Sequence, residues 1–217
     1  MKKTLRQLLL RSDFDRVAQL AENKGRVLRV LTALSYDPDP LVVWRAVEAT
    51  GAAAERVARH KPERVREHLR HLHWLISEES GGICWHAPEL MAEVVRRLPG
   101  LMADYLPIVL WLIKEMPEED LAHFRPGILW AIGRLAPVAG ETLDQVLPAV
   151  KGCLDHPDPQ VRGMTVWCLG QAQCLAPLTN HAGLADDPGE LVIYENGQLR
   201  TVTVGSLVRR AVGPSTA

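Results

Sequence analysis

The segment Glu78–Glu89 (EESGGICWHAPE) holds the residue types of a thiol-based active site. Cys84 supplies a thiol that can act as a nucleophile, and His86 supplies an imidazole that can act as its general base. However, residues two positions apart project in different directions in most regular backbone conformations. The sequence also shows no third group that would orient the histidine. Catalysis is therefore the weakest of three interpretations of this segment.

The second interpretation is a structural turn, and the third is a loop that binds a partner. Gly81 and Gly82 let the backbone take conformations that are closed to other residues, as a tight reversal requires. In such a turn, Trp85 would be anchored in the core and His86 would cap the following helix. Loops on rigid scaffolds often carry function. We therefore predict a partner-binding site whose contacts from this segment are Glu78, Glu79, Trp85 and His86.

A basic stretch spans residues 56–73 and is rich in arginine and histidine. Within it, Arg66, Arg70 and His73 have the spacing that places side chains on one helix face. Such a face could meet phosphate or an acidic partner, so Arg66 and Arg70 join the predicted partner-binding residues. The alternative is an ordinary solvated face, which is the more common role of long basic side chains.

The sequence predicts neither a metal site nor a cofactor. Cys153, His156, Cys168 and Cys174 form a Cys-x2-His and Cys-x5-Cys pattern, which matches known zinc-ligand spacing poorly. Cys168 also falls in an apolar helical run, where cysteine commonly serves as a small core residue. His68 and His71 could share a metal by spacing, but no further ligand is obviously paired with them.

The chain contains six tryptophans, and nearly every predicted helical pair includes one of them. A pocket for a ligand, or a platform on which bases stack, would be one explanation. Packing between repeats accounts for most of them better, because tryptophan buries a large apolar surface. The six are Trp44, Trp74, Trp85, Trp111, Trp130 and Trp167.

Charge is distributed unevenly along the 217 residues. Residues 1–75 carry a net charge of +6 and the remainder −7. This polarity can orient an encounter with a charged partner. A strong nucleic-acid binder is more often basic overall, and this chain has a net charge of −1. The sequence contains no membrane-spanning stretch and no signal-peptide pattern, so we expect a cytoplasmic protein without a membrane partner.

The elements that must position these residues are helices, and their starts are marked by proline. Asp39-Pro40 opens an apolar run that ends at Gly51, and Asp158-Pro159 opens another that ends at Gly170. Aspartate can cap a helix, and proline suits the first turn because its missing N–H would be unpaired there. Further starts are predicted at Pro62, Pro88 and Pro126. We predict partner helices at roughly 62–77, 101–115 and 141–154, and two or three short helices within residues 4–35.

Gly51 and Gly170 lie 119 positions apart, which is about three repeats of ~40 residues, and this period is typical of HEAT-type helical hairpins. The stretches DPLVVWRAVEA (from Asp39) and DPQVRGMTVWCLG (from Asp158) resemble HEAT repeats, closest to the short bacterial kind also found in phycobilin-lyase-type proteins. The HEAT pattern places an arginine after the valine; Arg162 matches it, whereas Val43 departs from it. The resemblance covers roughly residues 24–175. It implies an all-α, right-handed α-solenoid and a role as scaffold or adaptor.

The C-terminal residues have the pattern of β-strands instead of helices. Residues 191–194 and 199–204 flank Asn196-Gly197, a dipeptide that favours a type I′ turn, and this predicts a β-hairpin. We expect the hairpin to pack on the last helices, since a lone hairpin is marginal in water. Ser206 is predicted to cap a final short helix. The predicted organisation is a repeat domain at 1–175, a linker at 176–190, and the hairpin with a short helix at 191–217.

Three functions follow as hypotheses. The first is a non-enzymatic scaffold that binds a protein or peptide along its stacked helices. The second is nucleic-acid binding through the basic N-terminal third. The third is a lyase or chaperone for a bound chromophore, which rests on fold-level analogy alone. The sequence leaves the oligomeric state undetermined.

Overall fold

The computed structural model describes residues 1–76, 84–116 and 118–213. Glu78 and Glu79 lie outside the described residues. The chain divides into two compact units, which are described separately here. Unit 1 comprises Met1–Leu106 together with Asn196–Gln198, and unit 2 comprises Pro107–Glu195 and the residues from Leu199 onward. The proposed division at residues 175 and 190 stays a prediction.

Unit 1 is built mainly from helices, and alternate helices form a layer within it. α4 makes extensive contacts with both α2 and α6, while α3 and α5 pack beside this layer. A short 3-10 turn at Ala103–Tyr105 follows α6. The helices are α1 (Lys2–Leu10), α2 (Phe14–Asn23), α3 (Val27–Leu34), α4 (Pro40–Ala58), α5 (Pro62–Ile76) and α6 (Ala87–Arg97). Stacking of every second helix is the arrangement expected of helical-hairpin repeats.

The start of α4 forms as predicted. A carboxylate oxygen of Asp39 accepts a hydrogen bond from the Leu41 backbone N–H at 3.0 Å, and Pro40 occupies the first turn. α4 does not end at Gly51 but continues to Ala58. Gly51 instead marks a close approach, because a Cβ atom at this position would lie 2.6 Å from the Glu93 carbonyl oxygen of α6.

Arg45 on α4 is a buried cation satisfied by backbone carbonyls. Its Nη1 donates to the carbonyl oxygens of Leu9 and Leu10 at 3.0 and 2.9 Å. Its Nε donates at 3.0 Å to the carbonyl oxygen of Gly197, which also belongs to unit 1. Three acceptors offset the cost of burying the guanidinium.

Unit 2 repeats the alternate-helix arrangement, since α10 contacts α8 most extensively and then α12. 3-10 turns lie at Cys153–Asp155 and Leu184–Asp186. The helices are α7 (Leu106–Glu115, whose first residue falls in unit 1), α8 (Glu118–Ala139), α9 (Glu141–Gly152), α10 (Pro159–Gln171), α11 (Ala176–Asn180) and α12 (Val204–Val212). The Asp158 carboxylate caps α10 by accepting from the Gln160 N–H at 2.8 Å.

A single hairpin supplies the strands among the described residues: β1 (Glu190–Glu195) and β2 (Gln198–Thr203). Asn196 and Gly197 both have positive φ angles, 50° and 75°, as the predicted type I′ turn requires. β1 packs on α10, where the Leu191 side chain covers Gly163. The cap of α12 is Thr203, whose hydroxyl accepts from the Ser206 N–H, so the predicted cap at Ser206 is wrong.

Two sequence predictions about helices and core require correction. Pro126 does not open a helix but lies inside α8, because the buried side chains of Leu121, Phe124, Ile128 and Leu129 continue across it at helical spacing. Their packing outweighs the hydrogen bond that proline removes. The tryptophans are also less buried than predicted: Trp130 and Trp167 are buried, whereas Trp74, Trp85 and Trp111 are exposed.

The all-α class with its small C-terminal hairpin is confirmed. Within the described ranges, the helices are either too short or too polar to traverse a bilayer.

Candidate functional site

The start of α6 holds the residues that the sequence singled out. His86 is the last residue before the helix, and its Nδ1 lies 2.9 Å from the Oε1 atom of Glu89. Glu89 is 2% exposed. The Trp44 ring from α4 meets the His86 ring edge-on, with 5.5 Å between the ring centroids. A carboxylate and an aromatic ring therefore fix the imidazole on a rigid helical base.

The electrostatics of this pair favour a charged histidine. Burial acts to lower the pKa of His86, but the negative charge of Glu89 and its hydrogen bond outweigh burial and raise that pKa above its usual value. The other carboxylate oxygen of Glu89 is buried, and no hydrogen-bond partner for it lies among the described residues.

Cys84 is placed as a core residue. It is fully buried, and its sulfur contacts the Ser35 hydroxyl at 3.8 Å, the Tyr36 hydroxyl and the backbone N–H of His86. Burial raises the pKa of the thiol, which disfavours the thiolate that a nucleophile needs. These features give no support to the Cys84–His86 catalytic hypothesis.

Three segments that carry exposed aromatic side chains meet at this buried thiol. Trp85 is 46% exposed, so the expected anchoring of this side chain in the core is wrong. Trp74 and Tyr36 are 55% and 51% exposed. Their segments meet at Cys84, which contacts Tyr36 and donates its backbone N–H to the Leu75 carbonyl oxygen at 3.2 Å. We call Tyr36, Trp74 and Trp85 the aromatic patch.

The two predicted arginines extend from this patch along α5. Arg70 and Trp74 are four residues apart, as are Arg66 and Arg70, so the three follow one side of the helix. Arg66 already has two partners within the chain. Its Nη1 lies 2.8 Å from an Asp104 carboxylate oxygen, and its Nη2 donates to the Leu101 carbonyl oxygen at 2.6 Å. Arg70 is exposed.

Sequence reasoning missed two features of unit 1. One is Glu89, whose position three residues after His86 on a helix was the available signal. The other is a cavity lined by Arg26, Arg29, Arg64 and His68. The spacing of Arg64, His68 and His71 was visible in the same basic helix, on the side of α5 opposite Arg66 and Arg70.

Metal coordination finds no support in the described part of the chain, where no cluster of three or more His, Cys, Asp or Glu residues is arranged to hold an ion. The four cysteines are free thiols.

Comparison with known proteins identifies the repeat. Residues 122–172, which include α10 and most of α8, match the family model of the HEAT-like repeat. The chain therefore contains a HEAT-like repeat, and the family model matches about a quarter of its length. The likeness to phycobilin-lyase-type proteins stays a prediction.

Solved structures align with this chain at low sequence identity. An engineered protein from the Northeast Structural Genomics Consortium shares its fold, with 13% identity and a TM-score of 0.50, over 97% of this chain and 94% of the other. An archaeal HEAT-like repeats protein from Thermococcus onnurineus NA1 aligns with 14% identity and a TM-score of 0.36, over 98% of both chains. No curated protein matches the sequence.

Proposed function

We propose that this protein is a non-enzymatic scaffold that binds a protein or peptide through unit 1. The contact surface comprises the aromatic patch, His86, and Arg66 and Arg70 on α5. The observation that carries the proposal is the 46% exposure of Trp85 beside a histidine that is fixed by Trp44 and Glu89. Exposed tryptophan on a rigid base is the residue type most often responsible for binding energy in protein interfaces.

The chemistry of this surface defines the partner. Tyr36, Trp74 and Trp85 offer apolar area together with polar groups, and the exposed Arg70 offers positive charge. The complementary ligand is a peptide segment that carries both apolar and acidic side chains. HEAT-like repeats commonly serve in protein interaction, and the family match supports this role for the chain.

A pull-down from cells that express the protein tests this proposal. Trp85→Ala is compared with Trp111→Ala, which removes an exposed tryptophan from unit 2. We expect proteins captured by the wild-type chain to be lost with Trp85→Ala and retained with Trp111→Ala, because a central aromatic contact contributes about 2 kcal/mol or more. Equal retention by both variants, or capture of no protein at all, contradicts the proposal.

A further inference from the structure

A cavity of about 760 Å³ lies in unit 1 where α3, the end of α4 and α5 meet. Its floor is formed by the buried side chains of Leu28, Val57 and His68. Its rim is exposed and mostly cationic, with lining residues Gly25, Arg26, Arg29, Arg64, Glu67 and His71. This size falls in the range of small-molecule sites.

The three rim arginines have no ion-pair partner within the described ranges of the chain, which distinguishes them from their neighbours. Arg56 lies 3.5 Å from Glu22, and Arg66 lies 2.8 Å from Asp104. Glu67 is the one carboxylate that lines the cavity, so with neutral histidines the lining carries a net charge of +2. Three guanidiniums kept together without carboxylate partners repel each other, and an anion between them relieves that repulsion.

His68 lines the floor of this cationic cavity and carries a buried polar atom that is not used within the described chain. The residue is 6% exposed, and its buried Nε2 has no hydrogen-bond partner among the described residues. Burial, with smaller contributions from the charges of His71 and Arg29, lowers the pKa of His68 to about 4. The imidazole is therefore neutral near pH 7, and the tautomer protonated on Nε2 can donate to a ligand oxygen. A buried polar atom without a partner costs free energy that a ligand would recover.

We propose that this cavity binds the phosphate group of a small phosphorylated molecule, with Arg26, Arg29 and Arg64 holding the phosphate and His68 donating from below. The cavity lies on the side of α5 opposite Arg66 and Arg70, and its rim residue His71 stacks on Trp74 of the aromatic patch, with 5.9 Å between the ring centroids.

Charge and shape favour a phosphate monoester over other anions. A monoester carries about −1.5 to −2 at neutral pH, which matches the net charge of the lining, whereas a carboxylate carries half of that. Guanidinium groups bind phosphate oxygens in bidentate geometry. The cavity also leaves room for an organic body against Leu28 and Val57. A terminal phosphate can reach the buried His68. A phosphodiester carries a sugar on both sides, and these sugars would keep its phosphate from reaching that depth.

Calorimetric titration of the full chain with phenyl phosphate tests this inference. Arg64→Gln is compared with Arg16→Gln, which removes the same charge from an exposed position on α2 outside the cavity. We expect the wild-type chain and Arg16→Gln to bind equally. We expect Arg64→Gln to bind about tenfold more weakly, since a hydrogen bond to a charged group contributes about 1.5 kcal/mol or more.

Gly25→Ala provides a second variant that keeps every charge. A Cβ at Gly25 would overlap the Arg64 guanidinium, which is the end of a flexible side chain and moves without disturbing the backbone. We expect this variant to fold normally and to bind phenyl phosphate more weakly.

Three outcomes overturn the proposal: no binding of phenyl phosphate by the wild-type chain, equal weakening by Arg64→Gln and Arg16→Gln, or tighter binding of an oligonucleotide without terminal phosphates. The last outcome would assign the cavity to a nucleic-acid backbone. Failure of this site leaves the pull-down with Trp85→Ala unaffected, so the two proposals are tested independently.

Discussion

Three buried ionisable side chains of unit 1 differ in their surroundings. Arg45 is surrounded by backbone carbonyls, Glu89 is paired with His86, and His68 faces a cavity. Removing a buried charge from water is costly, so such groups persist where a partner or a function compensates. In this unit they mark the places where side-chain chemistry matters beyond core packing.

The His86–Glu89 pair makes stability depend on pH. Because the folded state raises the pKa of His86, the contribution of the pair is fully present below the unfolded value near 6.5 and is lost as pH rises through the folded value. We expect the free energy of unfolding of the wild-type chain to exceed that of His86→Gln most at about pH 5.5, with the difference shrinking toward pH 9. Urea denaturation across this range measures it.

His73→Gln, which removes an exposed histidine from α5, serves as the control for that series. Its free energy of unfolding should follow that of the wild-type chain at every pH. A constant difference between wild-type and His86→Gln from pH 5.5 to 9 would show that the Glu89 pairing does not depend on the charge of the histidine.

At the scale of elements, contact between alternate helices depends on small residues. Gly51 lets α4 approach the backbone of α6, and Gly133 lets α8 approach the Trp167 ring of α10. Trp167 in turn stacks on Trp130, with 6.2 Å between ring centroids and 5° between planes. Close approach at these positions sets the spacing of the helix layer in each unit.

We predict that Gly51→Ala destabilises the protein by about 1–3 kcal/mol, because the new Cβ would overlap the backbone of α6 and overpacking carries this cost. Gly152→Ala is the matched control: no heavy atom lies within 4 Å of a Cβ at that helix end. Alanine there should leave stability unchanged or raise it slightly. Thermal unfolding distinguishes the two, and a neutral Gly51→Ala would disprove the close approach.

The sequence predicted those elements whose signals are local. Asp39 and Asp158 predicted the caps of α4 and α10 correctly. Pro62 predicted the start of α5, and Asn196-Gly197 predicted the turn of the hairpin. The helix start predicted at Pro126 was wrong, because a helix can continue across a proline where the packing of its side chains compensates for the lost hydrogen bond. Local signals also do not report which side of α5 faces the cavity, since this depends on where α3 lies.

The candidate site was predictable only in part. The segment before α6 was singled out by its composition, but the exposure of Trp85 depends on neighbours that are distant in sequence. The burial of Cys84 also depends on residues distant in sequence. The sequence makes Cys84 a candidate nucleophile, but in the fold its sulfur contacts Ser35 and Tyr36.

At the scale of the whole molecule, the uneven charge along the chain is balanced to a net charge of −1. Arg66 and Arg56 in the basic third are paired with carboxylates of the chain itself. Because the chain has a net charge of −1 and the three cavity arginines without an ion-pair partner in the described ranges are too few to displace many counterions, we expect no measurable binding of duplex or single-stranded DNA at about 150 mM salt. Fluorescence anisotropy with labelled DNA measures this, and micromolar affinity at that salt would favour the nucleic-acid hypothesis.

The order of synthesis determines when the hydrogen bonds of Arg45 can form. Its Nη1 acceptors, Leu9 and Leu10, precede Arg45 in the sequence, but its Nε acceptor is Gly197, which follows most of unit 2. A nascent chain that has emerged only as far as α6 therefore contains a guanidinium that lacks one of its three native carbonyls. Unit 1 reaches its final hydrogen bonding only after most of unit 2 has been made, although nearly all of its own residues are made before unit 2.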